Sequence, residues 1–162
     1  MKKRTKVVLY LAVFVIVFVG SALVRIALLG GAPERLIRVK WNDSVGTVYA
    51  NQEYENTNGH KYDLYIPSGL DESQNQYLIL FIHGGSFNSG AKEDGDAWCK
   101  YYATKGYITA TVDYTLQAHG QEASIYLMNS EIESAVKAIK EQAETLGYRI
   151  AGMAPCGVSA GG

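Results

Sequence analysis

An uncharged, apolar run from Val7 to Val24 limits the start of this chain to one kind of structure. Its roughly 18 residues, rising about 1.5 Å each in a helix, nearly cross a hydrocarbon layer about 30 Å thick. Four basic residues precede the run: Lys2, Lys3, Arg4 and Lys6. They favour a cytoplasmic N-terminus and place the rest of the chain outside the cytoplasm. We therefore predict a basic N-terminus over residues 1–6 and, over residues 7–29, one helix that anchors the protein in the cell membrane.

A cleaved signal peptide is the alternative interpretation of the same segment. Gly20-Ser21-Ala22 supplies small residues at a plausible cleavage position, and the product would then be secreted. The apolar run is longer than the roughly 7 to 15 residues usual in signal peptides, so we favour an uncleaved anchor. Two glycines and Pro33 then break the helix, which predicts a linker over residues 30–42 and an exported domain over residues 43–162.

The exported domain contains several segments typical of β-strands. Segments rich in β-formers flank the turn signal Asn58-Gly59, which predicts an antiparallel hairpin of residues 45–54 and 61–66. The continuous apolar run at 77–82 is typical of a strand buried on both faces. Two further segments also predict strands, namely residues 107–112 and residues 150–156.

Helical patterns alternate with these strands. Residues 94–105 begin with acidic residues and end before a glycine, which favours a helix. Ser130 and Glu133 form a capping-box pattern ahead of apolar positions at helical spacing, and Gly147 ends that second predicted helix. The alternation predicts an α/β fold, with a mostly parallel sheet covered on both faces after the opening antiparallel hairpin.

A G-x-S-x-G motif at residues 157–161 places Ser159 where a strand is expected to turn into a helix. A turn sharp enough to expose the serine hydroxyl forces its backbone into strained dihedrals and leaves no room for neighbouring Cβ atoms. The flanking glycines meet that need. Because the motif alone also arises by chance, its context must support it.

The second motif, His83-Gly84-Gly85-Ser86-Phe87, directly follows the predicted strand at 77–82. A glycine pair in such a loop can turn two backbone N–H groups toward a developing oxyanion, since no side chain shields them. The two motifs agree in order, spacing and context, which is stronger support than either gives alone.

From about Tyr62 to Gly162, the sequence resembles the hormone-sensitive-lipase and feruloyl-esterase-like (BD-FAE-like) branch of the α/β-hydrolase superfamily. The resemblance rests on the loop at 83–87, on Gly106-Tyr107 with Val112-Asp113-Tyr114, and on residues 157–162. It implies an α/β-hydrolase fold and hydrolysis of a small-molecule ester through an acyl-enzyme. Its implied residue roles are these: nucleophile Ser159; oxyanion donors Gly84, Gly85 and Ala160; loop supports His83 and Asp113-Tyr114.

Two residues depart from the pattern of the family. Ser86 stands where a third glycine is frequent, which would alter the loop at 83–87 slightly. Pro155 falls in a predicted central strand, where its missing N–H is usually excluded.

The histidines do not complete a catalytic triad. In this fold the acid and then the histidine follow the nucleophile, whereas His60, His83 and His119 all precede Ser159. We interpret His60 and His119 as solvated loop residues. The sequence as given is therefore expected to be the N-terminal part of the domain, cut off after the nucleophile turn. It should be nearly inactive alone, since losing the histidine of such a triad costs about a millionfold in turnover.

Two other functions remain open. An amidase or peptidase of the same fold would share this N-terminal half, because the specificity pocket usually lies in later segments. An inactive hydrolase domain could instead serve as a membrane-anchored interaction module.

Composition argues against several further functions. The formal net charge of -1 gives no electrostatic case for binding nucleic acid. Cys99 and Cys156 are too few for a disulfide framework and are interpreted as small buried side chains, with one disulfide between them left open for an exported domain. Glu93, Asp94 and Asp96 lie near a helix start, where acidic residues are ordinary. We predict no metal site and no cofactor.

Overall fold

The structure is a computed structural model that describes residues 3–29, 37, 39–56, 58–117 and 123–162. The chain divides into two compact units, Met1–Ile37 and Arg38–Gly162. Most of the predicted linker, and the loop residue His119, lie outside the described residues.

The first unit contains helix α1, Lys3–Leu29, which is 27 residues long. Its segment Arg4–Arg25 contains an 18-residue window with a mean hydropathy of 2.9, and none of that window is buried inside the chain. The predicted apolar helix is thus confirmed, and it begins among the basic residues. It is long and apolar enough to cross a membrane, and a signal sequence would meet the same criteria.

The second unit is built on a five-stranded mixed sheet in the order β1-β2-β4-β3-β5. The strands are β1 Gly46–Glu53, β2 Lys61–Pro67, β3 Gln76–Ile82, β4 Ile108–Val112 and β5 Ile150–Gly157. Strands β1 and β2 form the predicted antiparallel hairpin, and β2 also pairs antiparallel with β4. Strands β4, β3 and β5 run parallel. The predicted sheet is confirmed.

Two helices cover this sheet: α2, Asp96–Ala103, which follows a 3-10 turn at Lys92–Gly95, and α3, Ile125–Thr145. The predicted start of α3 at Ser130 is wrong. The N-cap is Ser124, whose Oγ accepts a hydrogen bond of 3.1 Å from the Leu127 N–H. The helix begins earlier because Met128 extends its buried stripe by one turn, so Ser130 lies inside the helix.

The core lies on both faces of the sheet, since successive residues of a strand point to opposite sides. Leu64 and Leu80 pack with Ile139 of α3. Their neighbours Tyr65 and Phe81 pack with Cys99 of α2 on the other face. Strand β4 is buried along its whole length, which makes it the centre of the domain.

Strand β5 lies at one edge of the sheet formed by the described residues. It pairs with β3 alone among the described strands, and its residues are half-buried or exposed. Pro155 lies opposite Leu80 in the parallel ladder between β3 and β5. Cys156 is half-buried rather than buried, and both cysteines are free thiols.

Candidate functional site

Strands β3 and β5 end side by side, which brings the two motifs of the sequence together. In the parallel register, Ile82 at the end of β3 pairs with Gly157 at the end of β5. The loop of residues 83–92, which we call the oxyanion loop, therefore leaves the sheet next to the turn that carries Ser159. Ligand sites of open α/β sheets commonly lie at these carboxyl ends of the strands.

Ser159 lies in a sharp turn directly after β5, at the start of a 3-10 segment, Ser159–Gly161. Its φ of 55° is in the left-handed region, where a non-glycine residue is strained by about 1–3 kcal/mol. A Cβ at Gly157 would collide with the carbonyl oxygen of Gly161, and a Cβ at Gly161 would collide with that of Ile82. The two glycines are thus required by the closeness of the backbone segments.

Gly84 lies against this turn. An ideal Cβ on Gly84 would be 3.3 Å from the Cβ of Ser159 and would collide with the Val158 carbonyl oxygen. Gly85, the next residue, has a φ of 119°, which side-chain-bearing residues rarely adopt. Within the described part of the chain, the N–H groups of Gly85 and Ala160 donate to no other residue. The structure therefore brings Ser159, the glycine pair and Ala160 to one place.

His83 braces the start of the oxyanion loop and is closed off from solvent, at 1% exposure. The Tyr114 hydroxyl donates to the His83 carbonyl oxygen at 2.7 Å, and the two rings stack with centroids 4.4 Å apart. The His83 Nδ1 donates to the Gly84 carbonyl oxygen at 2.7 Å. Both residues thus occupy supporting positions, and burial raises the pKa of the Tyr114 hydroxyl.

The far end of the loop is fixed by Lys92, whose ammonium group is buried. The Lys92 N–H donates to the Asp113 carboxylate at 2.7 Å, and the Lys92 carbonyl oxygen accepts from the Thr111 hydroxyl at 2.8 Å. The Lys92 Nζ lies 3.1 Å from the Asp63 carboxylate and 2.5 Å from that of Glu93. A buried ion pair thus ties the loop to strand β2.

The protonation equilibria of this cluster follow its burial and its hydrogen bonds. Burial opposes the charge of Lys92, yet its hydrogen bonds to Glu93 and Asp63 raise its pKa above the ordinary value. The Lys92 hydrogen bond lowers the pKa of Glu93. Burial raises the pKa of the Asp113 carboxyl, against the lowering effect of the Lys92 N–H.

Gln117, three residues after Tyr114, holds the middle of the oxyanion loop. The Gln117 N–H donates to the Phe87 carbonyl oxygen at 2.8 Å. Two residues earlier, Thr115 is fully buried, and its N–H and hydroxyl both donate to the Glu131 carboxylate of α3, at 2.7 and 2.8 Å.

Sequence reasoning missed Lys92, Asp63 and Glu131 as buried charges. One signal was available for Glu131: it lies four residues before Ala135 and eight before Ile139, on the buried stripe of α3. A charged residue on an apolar stripe indicates a buried polar contact. No comparable periodicity marks Lys92, because it lies in a loop and a short turn.

The remaining candidate residues have other partners. His60 is half-buried rather than solvated, and its Nε2 lies 3.1 Å from the Thr115 hydroxyl. Neither His60 nor His83, the two described histidines, hydrogen-bonds to Ser159. Asp94 accepts from the Ala91 N–H, and Asp96 pairs with Lys100. The described residues hold no cluster of three side chains that could ligate a metal.

Comparison with known proteins identifies the family of the domain. The BD-FAE family model matches residues 62–162, which is more than half of the chain. Kynurenine formamidase from Danio rerio is 27% identical over 118 residues, which are 73% of this chain and 37% of that protein. Kynurenine formamidase from Salmo salar is 27% identical over 111 residues, which are 68% of this chain and 35% of that protein.

Solved structures show the same fold. Esterase 2 of Thermogutta terrifontis, phosphoramylated by tabun, superposes with a TM-score of 0.59 at 21% identity, over 76% of this chain and 46% of the esterase. The butyrate-bound form of the same esterase superposes with a TM-score of 0.57 at 21% identity, over 69% of this chain and 42% of the esterase. The chain thus spans less than half the length of these relatives. From the match over residues 62–162 and the shared fold, this chain belongs to the BD-FAE family of α/β-hydrolases, the hormone-sensitive-lipase and feruloyl-esterase-like group.

Proposed function

We propose that the protein is a serine-type carboxylic ester hydrolase with Ser159 as its nucleophile. The observation that carries the proposal is the strained φ of 55° at Ser159, in a turn packed against Gly84. Strain of this kind persists only where the surrounding structure enforces it, and it concentrates at active sites.

In the proposed reaction, the Ser159 Oγ attacks the ester carbonyl carbon, and its proton passes to a general base. The tetrahedral oxyanion accepts hydrogen bonds from the N–H groups of Gly84, Gly85 and Ala160, of which those of Gly85 and Ala160 donate to no other described residue. The alcohol leaves with the proton from the base, and water then releases the acid from the acyl-enzyme. The base and its carboxylate partner belong to segments that follow the nucleophile in this fold.

His83 does not serve as that base in this proposal. Its Nδ1 is engaged by the Gly84 carbonyl oxygen, its ring stacks on Tyr114, and it is almost fully buried. A general base must reach the proton that it abstracts, and this ring is held in the wall of the loop.

The test is hydrolysis of short-chain p-nitrophenyl esters by the protein expressed from its complete reading frame. Ser159→Ala should lower kcat by about a millionfold and abolish labelling by a fluorophosphonate probe. Ser68→Ala is the matched control, because this surface serine lies at the opposite end of the sheet and donates to the Asp43 carbonyl oxygen. Labelling or hydrolysis that survives Ser159→Ala would contradict the assigned nucleophile.

Hydrolysis of an amide is the second candidate, favoured by the identity of 27% to two kynurenine formamidases. The same serine and oxyanion donors serve ester and amide carbonyls, so the discrimination lies in leaving-group contacts. Assays of matched aryl ester, aryl amide and aryl formamide substrates decide between them through the ratio of their kcat/KM values. A folded protein that hydrolyses none of them would favour a non-catalytic interaction module.

We also propose that α1 anchors the domain in the cell membrane with its N-terminus in the cytoplasm, so that the hydrolase acts on substrates outside it. The basic residues before an exposed apolar helix support this orientation.

A further inference from the structure

Residues 113–117, which we call the support segment, contact the oxyanion loop at three points. The segment binds the start of the loop through Tyr114, its middle through Gln117 and its end through Asp113. No other described segment hydrogen-bonds to all three parts of the loop. The position of the support segment therefore sets the position of the loop.

The loop needs such external support because part of it is strained. Ser86 and Phe87 have φ values of 54° and 62°, in the left-handed region that non-glycine residues avoid. A strained segment relaxes unless its surroundings over-determine it. The hydrogen bond from the Gln117 N–H to the Phe87 carbonyl oxygen opposes that relaxation at the strained residue itself.

Glu131 fixes the centre of the support segment from helix α3. Both of its carboxylate oxygens accept hydrogen bonds from Thr115, one from the N–H and one from the hydroxyl. Glu131 is only 3% exposed, and no described basic side chain forms an ion pair with it. A buried carboxylate without a cationic partner is costly, and packing alone would favour an apolar residue there.

We infer that Glu131 is a positioning residue for the oxyanion hole, acting through Thr115 and the support segment on Gly84 and Gly85. The inference rests on the proposed function. Without Glu131, Thr115 loses two charge-assisted hydrogen bonds, each about twice as strong as a neutral one. The support segment then moves, the restraint on Phe87 weakens, and the two glycine N–H groups leave the oxyanion position.

The first test compares Glu131→Ala with Glu133→Ala, since Glu133 is exposed on the same helix. In the protein from the complete reading frame, Glu131→Ala should lower kcat for a p-nitrophenyl ester about tenfold to a hundredfold, with KM changed less than about twofold. A displacement near 1 Å costs about a hundredfold in turnover, and a lost oxyanion donor costs about a hundredfold to a thousandfold. Equal kcat values for the two variants would overturn the inference.

Conservative changes separate positioning from folding. Glu131→Gln keeps an acceptor for the Thr115 N–H, so it should recover most of the kcat lost in Glu131→Ala. If Glu131 acts through Thr115, the double variant Glu131→Ala/Thr115→Val should lose less than the two single losses combined, because both changes break the bond between Glu131 and the Thr115 hydroxyl. Additive losses would place the effect of Glu131 elsewhere. Should Glu131→Ala fail to fold, Glu131→Gln and Thr115→Val still carry the comparison.

Amide hydrogen exchange of this chain gives a readout that does not need activity. Exchange at residues 84–90 should be at least about tenfold faster in Glu131→Ala than in Glu133→Ala, while strand β4 stays protected. Unchanged exchange in the loop would overturn the positioning role even if esterase activity is present. Loss of activity in Ser159→Ala together with unchanged loop exchange would leave the proposed function standing and this inference refuted. If no activity depends on Ser159 but exchange in the loop is faster, the proposed function is refuted, and the mechanical link from Glu131 to the loop stands.

Discussion

At the scale of single residues, the candidate site depends on close backbone contacts that only glycine allows. Gly157 and Gly161 contact carbonyl oxygens so closely that neither position has room for a methyl group. Ser159 carries its hydroxyl on a strained residue between them. The local strain and the entropic cost of two glycines thus accompany an exposed side chain at Ser159, the proposed nucleophile.

Gly157→Ala should destabilise the domain by about 1–3 kcal/mol, because the added methyl group must displace the Gly161 carbonyl group. Urea unfolding followed by tryptophan fluorescence measures this, since Trp41 and Trp98 both lie in the second unit. The control is Gly152→Ala in the same strand, whose Cβ meets only the exposed Tyr77 ring, at 3.1 Å. Equal midpoints for the two variants would show that the turn is not crowded.

The buried ion pair of Lys92 and Asp63 allows a second prediction at this scale. Lys92→Met should cost about 3–5 kcal/mol, because it leaves the Asp63 carboxylate buried without its partner. Lys100→Met breaks the partly exposed pair with Asp96 and should cost less than about 1 kcal/mol. The same fluorescence-monitored unfolding compares them, and a similar loss in both variants would mean that water reaches Asp63.

At the scale of secondary structure, α3 shows where a local pattern and the tertiary context disagree. Ser130 and Glu133 satisfy a capping pattern, yet the helix begins at Ile125 because Met128 and Glu131 have buried partners in the domain. Burial of a side chain can outweigh the modest energy of a cap. The sequence pattern was therefore correct for the helix and wrong for its first turn.

Ser124→Ala should destabilise the domain by about 1 kcal/mol, since it removes the acceptor of the Leu127 N–H. Ser130→Ala should be neutral or slightly stabilising, because alanine is the better helix former at an exposed interior position. Thermal unfolding of the two variants, read by tryptophan fluorescence, distinguishes the two caps. A larger loss for Ser130→Ala would restore the capping box as the start of the helix.

The sequence predicts elements with strong periodicity and motifs with fixed spacing, and it fails where long-range partners decide. The hairpin, the parallel strands and the meeting of Gly84 with Ser159 follow from local patterns and from the geometry of parallel sheets. The first turn of α3 depends on burial against other elements, which no local capping pattern encodes. The buried charges Lys92 and Glu131 likewise depend on partners 29 and 16 residues away.

At the scale of the whole molecule, the chain joins two units that differ in how much apolar surface they expose. The large apolar side chains of α1 between Val7 and Val24 are exposed, whereas the second unit buries apolar residues on both faces of a sheet. Apolar surface of this kind is what a membrane-spanning helix or a signal sequence presents. The two interpretations of α1, anchor or signal peptide, differ in whether it stays attached to the domain.

The interpretation of α1 as an anchor predicts that the mature protein keeps residues 1–29 and resists extraction from membranes by alkaline carbonate. We expect this because the candidate span Arg4–Arg25, at 22 residues, is long enough to cross the bilayer, and its apolar run from Val7 to Val24 is longer than a typical signal core. N-terminal sequencing of the membrane fraction, with protease accessibility of the domain in intact cells, measures retention and orientation together. A secreted protein whose N-terminus falls near Ala22 would instead identify α1 as a cleaved signal peptide.

Replacing Arg4 and Lys6 with glutamate (R4E, K6E) should weaken the preferred orientation, because the positive charge before the helix determines which end stays in the cytoplasm.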